Sequence, residues 1–146
     1  MKSAAKRIAV ARTDDEIRAC FAVMRQLRLH LAESEFVTRI RRQQEGGYQL
    51  AYLSDGDVIR SVGGFRLLEN LASGRVLYVD DLVSDEQDRS KGYGEALFDW
   101  LLERARSNDC HTLELDSGVQ RFGAHRFYLR HRMDIVSHHF RLDLPR

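Results

Sequence analysis

Two acidic residues and a glycine-containing loop are the features of this 146-residue sequence that can take part in chemistry. Asp80 and Asp81 lie within an apolar run, and residues 89–94, with the sequence RSKGYG, follow a few residues later. A carboxylate can accept a proton as a general base. Glycines let backbone N–H groups approach an anion, most favourably where a helix begins. The spacing therefore predicts an anion-binding loop beside an acid-bearing strand.

The loop is predicted to bind a pyrophosphate. Gly92 and Gly94 leave backbone N–H groups accessible, and Arg89 and Lys91 can add charge-assisted hydrogen bonds to the same oxygens. The alternative, a glycine-rich turn with solvated basic side chains, remains open at this stage.

Two other kinds of phosphate loop do not fit these residues. A nucleoside triphosphatase loop has Gly-Lys followed by Ser or Thr, whereas here Lys91 precedes Gly92. A dinucleotide-binding loop needs a third glycine where this chain has Leu97. Nucleotide hydrolysis and NAD or FAD chemistry are therefore not expected.

Three elements are expected to position the loop. Residues 75–84 are rich in Val, Leu and Tyr and predict a central strand, while residues 94–107 carry apolar residues at helical spacing. Residues 110–115 predict the next strand, joined to the first by a right-handed parallel crossover. Strict alternation of side chains along the strand at residues 75–84 would allow only one of Asp80 and Asp81 to face a site.

The remaining segments predict a single α/β (α+β) domain over residues 1–146. A strand at residues 6–12 leads into a helix capped by Thr13, and residues 36–45 continue the helical pattern. Residues 48–54 and 58–68 flank an Asp-Gly hairpin, residues 123–131 predict a short helix, and residues 135–144 a final strand. The element order is β-α-α-β-β-β-α-β-α-β, a mixed and mostly antiparallel sheet with helices on it.

Composition limits the classes of function. The 23 basic and 22 acidic residues leave a net charge of +1, which does not favour nucleic acid or an anionic membrane as partner. Cys20 and Cys110 are expected to be reduced thiols of a cytoplasmic protein, and no signal peptide or membrane span is expected. His125, His131, His138 and His139 lack metal-ligand spacing, so no metal is predicted.

The loop and its surroundings resemble the GNAT N-acetyltransferases, which use acetyl-CoA. Residues 89–94 fit that family's R/Q-x-x-G-x-G/A motif, and residues 80–83 are similar to its cofactor strand. Residues 124–128, AHRFY, resemble its A-x-x-F-Y helix, and the element order matches the family fold. Residues 113–144 also resemble, more weakly, the aminoalkylphosphonate N-acetyltransferases, whose anionic amine would suit Arg121, Arg126 and His139.

The resemblance implies roles for particular residues. Asp80 is the first choice for the general base, Asp81 is the reserve, and Tyr128 is the general acid that protonates the leaving thiolate. A backbone N–H near Leu82 would meet the oxyanion. The coenzyme A arm and its pyrophosphate would be held by Leu82, Val83, Ser84, Arg89, Ser90, Lys91, Gly92, Tyr93 and Gly94.

The alternatives to these roles are structural. Asp80 and Asp81 can serve as paired carboxylates at a strand end, and Tyr128 as an aromatic residue of the core, as is expected of Phe127. Arg39, Arg41 and Arg42 border the acceptor channel in the family, but a solvated helix face is the favoured interpretation.

The predicted activity is transfer of an acetyl group from acetyl-CoA to a primary amine of a small molecule. Acetylation of protein lysines or N-termini is one alternative, and a non-catalytic sensor that binds acyl-CoA is another. A homodimer is an expectation from the family.

Overall fold

The sheet contains five strands in the order β1-β2-β3-β4-β5. The computed structural model describes residues 5–146, apart from the side chain of Ser90. The strands are β1 (Lys6–Val10), β2 (Gln49–Asp55), β3 (Val58–Asn70), β4 (Gly74–Ser84) and β5 (Thr112–Leu115). The helices are α1 (Asp14–Ala19), α2 (Phe21–Leu27), α3 (Glu33–Gln44), α4 (Tyr93–Ser107) and α5 (Phe122–Arg130), with a 3-10 helix at Glu86–Lys91. The predicted fold class, a sheet flanked by helices, is confirmed.

The first helix begins where its capping residues predict. The Thr13 hydroxyl accepts the Glu16 N–H at 3.1 Å, and the Glu16 carboxylate accepts the Thr13 N–H at 2.9 Å. The single helix expected beyond this point is divided at Cys20, whose N–H donates to Ile17 O at 3.0 Å in a tighter turn. Apolar spacing predicts which side chains are buried, and a one-residue break leaves that spacing almost unchanged.

The central strands are paired as antiparallel hairpins. β1 pairs with β2, β2 with β3, and β3 with β4, each antiparallel. Gly56 takes a positive φ of 65° in the turn between β2 and β3, as the Asp-Gly signal predicts. β5 lies beside β4, and the parallel direction of that pair stays a prediction.

Both faces of the sheet are covered. Ile17, Met24 and Phe36 of α1–α3 are buried in one cluster with Val62 of β3. A Cβ placed on Gly63, the next residue of β3, would meet Leu97 and Leu101 of α4 at 3.4 and 3.6 Å. Because successive strand residues point to opposite faces, α4 covers the face that α1–α3 leave open.

The chain divides into two compact units, one ending at Glu114 and the other comprising Leu115–Arg146. The second unit contains α5, and the final strand predicted at residues 135–144 is absent, so that prediction is wrong. Alternating apolar residues form a strand only when they pair with another strand, and residues 135–144 pair with none of the described strands. Within the described residues, no helix is long and apolar enough to cross a lipid bilayer.

Candidate active site

A β-bulge brings the two candidate carboxylates to the same cavity. Gly64 and Phe65 of β3 pair with Asp81 and Val79 of β4, so Asp80 is an extra residue between two paired positions. A bulge interrupts the alternation of side chains along a strand. Both Asp80 and Asp81 line one cavity, and the prediction that only one of them can face a site is wrong.

Asp80 has one engaged oxygen and one free oxygen. Arg66 Nε donates to Asp80 Oδ2 at 3.0 Å, while Oδ1 is buried without a hydrogen-bond partner in the described chain. Burial raises the pKa of Asp80 above its ordinary value, and Arg66 opposes that rise. A buried acceptor without a donor is unusual in a folded protein. Asp80 Oδ1 therefore has lone pairs that no donor of the described chain uses.

Asp81 is fully engaged by neighbouring side chains. Arg28 Nε donates to Oδ1 at 2.8 Å, and the Tyr48 hydroxyl donates to Oδ2 at 2.7 Å. Arg28 Nη2 also donates to the Asp80 carbonyl at 2.9 Å. Burial, and next the Asp81 charge, raise the pKa of Tyr48 well above its usual range, so its phenol stays a donor. Asp81 thus fixes this part of β4 through bonds to Arg28, just after α2, and Tyr48, just before β2.

Gly64 makes room for the Tyr48 phenol. A Cβ at Gly64 would lie 1.8 Å from Tyr48 Oη and 2.3 Å from Cζ. Tyr48 is 2% exposed, so its ring has little freedom to move aside. Only glycine at this position allows Tyr48 to cross β3 and reach Asp81 on β4.

The cavity beside the carboxylates has a volume of about 260 Å³. The segment after α2 contributes Arg28 and His30, and α3 contributes Arg39. The cavity is therefore lined by acids from β4 on one side and by basic groups from the helical segments on another.

Gly92 opens the loop between the 3-10 helix and α4. It takes a positive φ of 80°, and no atom lies within 4 Å of an added Cβ. It is the N-cap residue of the 15-residue α4, with no side-chain cap hydrogen bond. The first N–H groups of a helix point along its axis and favour an anion. This geometry fits a phosphate group on the N-terminus of α4.

Gly94 serves a different purpose from Gly92. A Cβ at Gly94 would lie 2.8 Å from Ser84 Oγ, so this glycine lets α4 begin close to the end of β4. The side chain of Tyr93 is buried, and its hydroxyl donates to Asp55 Oδ2 at 2.7 Å. Tyr93 can therefore offer a ligand only its backbone.

A buried carboxylate, that of Asp88, binds basic side chains from β3 and from the 3-10 helix. Asp88 is 3% exposed; Arg60 Nη1 lies 3.0 Å from its Oδ2 and Lys91 Nζ 3.3 Å from its Oδ1. Lys91 is thus partly neutralised within the loop. Arg89 is exposed, and no hydrogen bond or ion pair in the described chain engages its guanidinium. Ser90 belongs to the 3-10 helix, but its side chain lies outside the described residues.

At the C-terminal end of β4, one edge of the strand is not paired with β5. β5 has four residues against the eleven of β4, and the His111 N–H that precedes it donates to Arg75 O, near the start of β4. Val83 O accepts the Ser61 hydroxyl at 3.2 Å and so faces β3. Because peptide groups alternate between the two edges of a strand, those of Leu82 and Ser84 face the edge beyond β5.

Tyr128 lies in α5, in the second compact unit. Burial raises the pKa of its phenol above the ordinary value, while Arg121 opposes the rise. Phe127, expected to be a core residue, is only partly buried, with its ring centroid 5.6 Å from that of Tyr128 and 4.3 Å from that of His131.

The histidines of the second unit have separate partners. His131 Nδ1 lies 2.9 Å from Phe127 O, His125 Nε2 2.8 Å from Gly118 O, and His139 Nδ1 3.3 Å from Asp116 Oδ1. Of the arginines that resemble a phosphonate-binding set, Arg126 is exposed and Arg121 interacts with Tyr128.

Sequence reasoning missed the groups that hold the carboxylates. Arg28, Tyr48 and Arg66 are 53, 33 and 14 positions from the acid groups that they bind. No short-range pattern joins them. The pair Gly63-Gly64 within an apolar strand was the one available signal, because glycine inside a strand often marks a bulge or a close approach.

Comparisons with known proteins agree with this architecture. Residues 10–132 match the Acetyltransferase (GNAT) family. An uncharacterized N-acetyltransferase, YhdJ, of Bacillus subtilis (strain 168) is 33% identical over 115 residues, which cover 78% of this chain and 81% of that protein.

Solved structures share the fold at low sequence identity. An acetyltransferase of Trypanosoma brucei is 20% identical with a TM-score of 0.79, covering 96% of this chain and 100% of that one. Glucosamine-6-phosphate N-acetyltransferase of Arabidopsis thaliana is 18% identical with a TM-score of 0.76, covering 97% and 99%. The match of residues 10–132 to the family and the 33% identity to the Bacillus relative show that this chain belongs to the GNAT family of acetyltransferases.

Proposed function

We propose that the protein transfers the acetyl group of acetyl-CoA to a primary amine of a small molecule, by direct attack of the amine on the thioester. The observation that carries the proposal is Asp80, which lines a cavity of about 260 Å³ and has one carboxylate oxygen without a hydrogen-bond partner among the described residues. A cavity of this size suits a small acceptor better than an extended peptide.

Asp80 is the general base in this proposal. The acceptor amine must lose a proton to attack, and the Asp80 carboxylate takes it directly or through a water. The raised pKa of Asp80 makes it a stronger base than an ordinary aspartate. Asp81 is the reserve for this role, but both of its oxygens already accept donors, so it is better suited to holding β4 in place.

The loop and the end of β4 would hold acetyl-CoA. The N-terminus of α4, opened by Gly92, fits the pyrophosphate, and Arg89 has a free guanidinium to pair with it. The peptide groups of Leu82 and Ser84, which face the edge beyond β5, suit the pantetheine arm better than the peptide group of Val83 does. A backbone N–H near Leu82 would donate to the oxyanion. When bound, acetyl-CoA supplies the thioester that the amine attacks.

Tyr128 is proposed as the general acid for the leaving thiolate. Its raised pKa keeps the phenol protonated through neutral pH, which is the form that this role requires. The role is taken from the family resemblance.

Two isosteric variants test the assignment of the base. Asp80→Asn should lower kcat by about 10²-fold or more, within the usual range for general-base loss, while acetyl-CoA affinity is retained. Asp81→Asn is the matched control and should chiefly lower the melting temperature, because two donors lose a charged acceptor. The measurement is thiol release from acetyl-CoA across pH; unchanged activity of Asp80→Asn would contradict the assignment.

The broader alternatives are separated by a binding and turnover screen. Thermal stabilisation by acetyl-CoA would be measured first, and thiol release over a panel of small amines and peptides second. A sensor would bind acetyl-CoA and release no thiol with any acceptor, whereas a protein acetyltransferase would prefer peptides. A homodimer and a cytoplasmic location, the latter suggested by the free cysteines Cys20 and Cys110, are parts of the same proposal.

A further inference from the structure

Arg39 is a cationic group in the acceptor cavity without a counter-ion. It is partly buried, and no hydrogen bond or ion pair within the described residues engages its guanidinium. Arg28, the other arginine that lines this cavity, differs because it binds Asp81. The only free arginine lining the described cavity is therefore Arg39.

Helical spacing places Arg39 on the side of α3 that faces the cavity. Phe36, Ile40 and Gln43 of α3 also line the cavity, and positions 36, 39, 40 and 43 share one helix face. Arg41 instead binds Asp14 at 2.8 Å, and Arg42 is exposed. Arg42 is thus exposed, as on a solvated helix face, whereas Arg39 is partly buried and lines the cavity.

We infer that the acceptor carries an anionic group beside its amine, and that Arg39 binds this group while the amine lies at Asp80. The inference rests on the proposed function. A partly buried guanidinium gains most from a carboxylate, phosphate or phosphonate, which it can bind with two parallel hydrogen bonds. His30, which also lines the cavity, can add a further N–H donor. A second ammonium group on the acceptor would instead be repelled by Arg39.

Matched acceptors test this inference. The pair 3-aminopropanoate and 3-aminopropanamide differ in charge at nearly the same size, and 3-aminopropylphosphonate distinguishes a phosphonate from a carboxylate. Rates are compared at equal concentrations of free amine. The anionic acceptors should have a kcat/KM at least about 10-fold above that of the amide, as expected for a charge-assisted bond.

Arg39→Gln should raise KM about 10- to 100-fold for the anionic acceptors and leave KM for the amide unchanged. Arg42→Gln, on the exposed face of the same helix, is the matched control and should change neither. Equal use of charged and neutral amines by the unmodified protein would overturn this inference while leaving acetyl transfer intact. Failure of every amine tested, charged or neutral, to release thiol from acetyl-CoA would overturn the proposed function itself.

Discussion

Replacement of Gly92 tests the pyrophosphate assignment most directly. Gly92→Asp and Gly92→Asn have nearly the same shape, and no atom lies within 4 Å of the added Cβ in either. The positive φ of 80° costs both variants a similar strain, at most about 1–2 kcal/mol for an L residue. The two proteins should therefore have the same melting temperature and differ only in the charge beside the N-terminus of α4.

The charge effect can be estimated from the exposure of the loop. Two unit charges 4 Å apart interact by about 1 kcal/mol in water and about 4 kcal/mol at an effective dielectric of 20. Gly92 is exposed, so the value near water applies, and a diphosphate carries two charges. A repulsion of about 1–2 kcal/mol weakens binding about 5- to 30-fold for the aspartate relative to the asparagine.

Isothermal titration calorimetry with two ligands provides the measurement. Gly92→Asp should bind acetyl-CoA about 5- to 30-fold more weakly than Gly92→Asn does. With acetyl-pantetheine, which lacks the diphosphate, the two variants should bind equally. Equal acetyl-CoA affinities in two equally stable variants would refute the assignment of the diphosphate to this loop.

Three further predictions concern the strand, the base and the acid. Gly94→Ala should lower the melting temperature because its Cβ would lie 2.8 Å from Ser84 Oγ. Adding Ser84→Ala to this variant should restore most of the loss, because the nearest remaining atom is then 4.0 Å away. A double variant as unstable as Gly94→Ala alone would contradict this contact. Arg66→Gln removes a cation that lowers the pKa of Asp80, so the acid limb of the kcat–pH profile should shift to higher pH, and an unmoved limb would show that Asp80 is not the titrating base. Tyr128→Phe should reduce kcat about 10²-fold with acetyl-CoA binding unchanged in calorimetry, and full activity would exclude the phenol as general acid.

Local patterns predicted most of the elements and the position of the loop. The capping box at Thr13, the Asp-Gly turn before β3 and the apolar spacing of α4 each involve residues within a few positions of one another. Such short-range chemistry acts in the same way whatever the rest of the chain does. The break at Cys20 and the missing final strand depend on partners elsewhere, and local patterns did not predict them.

In the candidate site, too, the sequence predicted the residue types but not how they are arranged. The types of its residues, two adjacent acids and a glycine loop before a helix, were visible in the sequence. Their arrangement was not, because the bulge at Asp80 arises from pairing with Gly64, 16 positions earlier. That bulge decides that both acids line one cavity, and the bonds from Arg66, Arg28 and Tyr48 decide which acid keeps a free oxygen.

By itself, the sequence determined the chemical groups that this protein has for acyl transfer and the order of the elements that carry them, because both follow from residue type and near-neighbour spacing. Only the tertiary structure decided that Asp80 retains a free oxygen, that Asp81 is held by two donors, and that Arg39 faces the cavity. Those outcomes depend on contacts between residues far apart in the chain, which no local pattern contains.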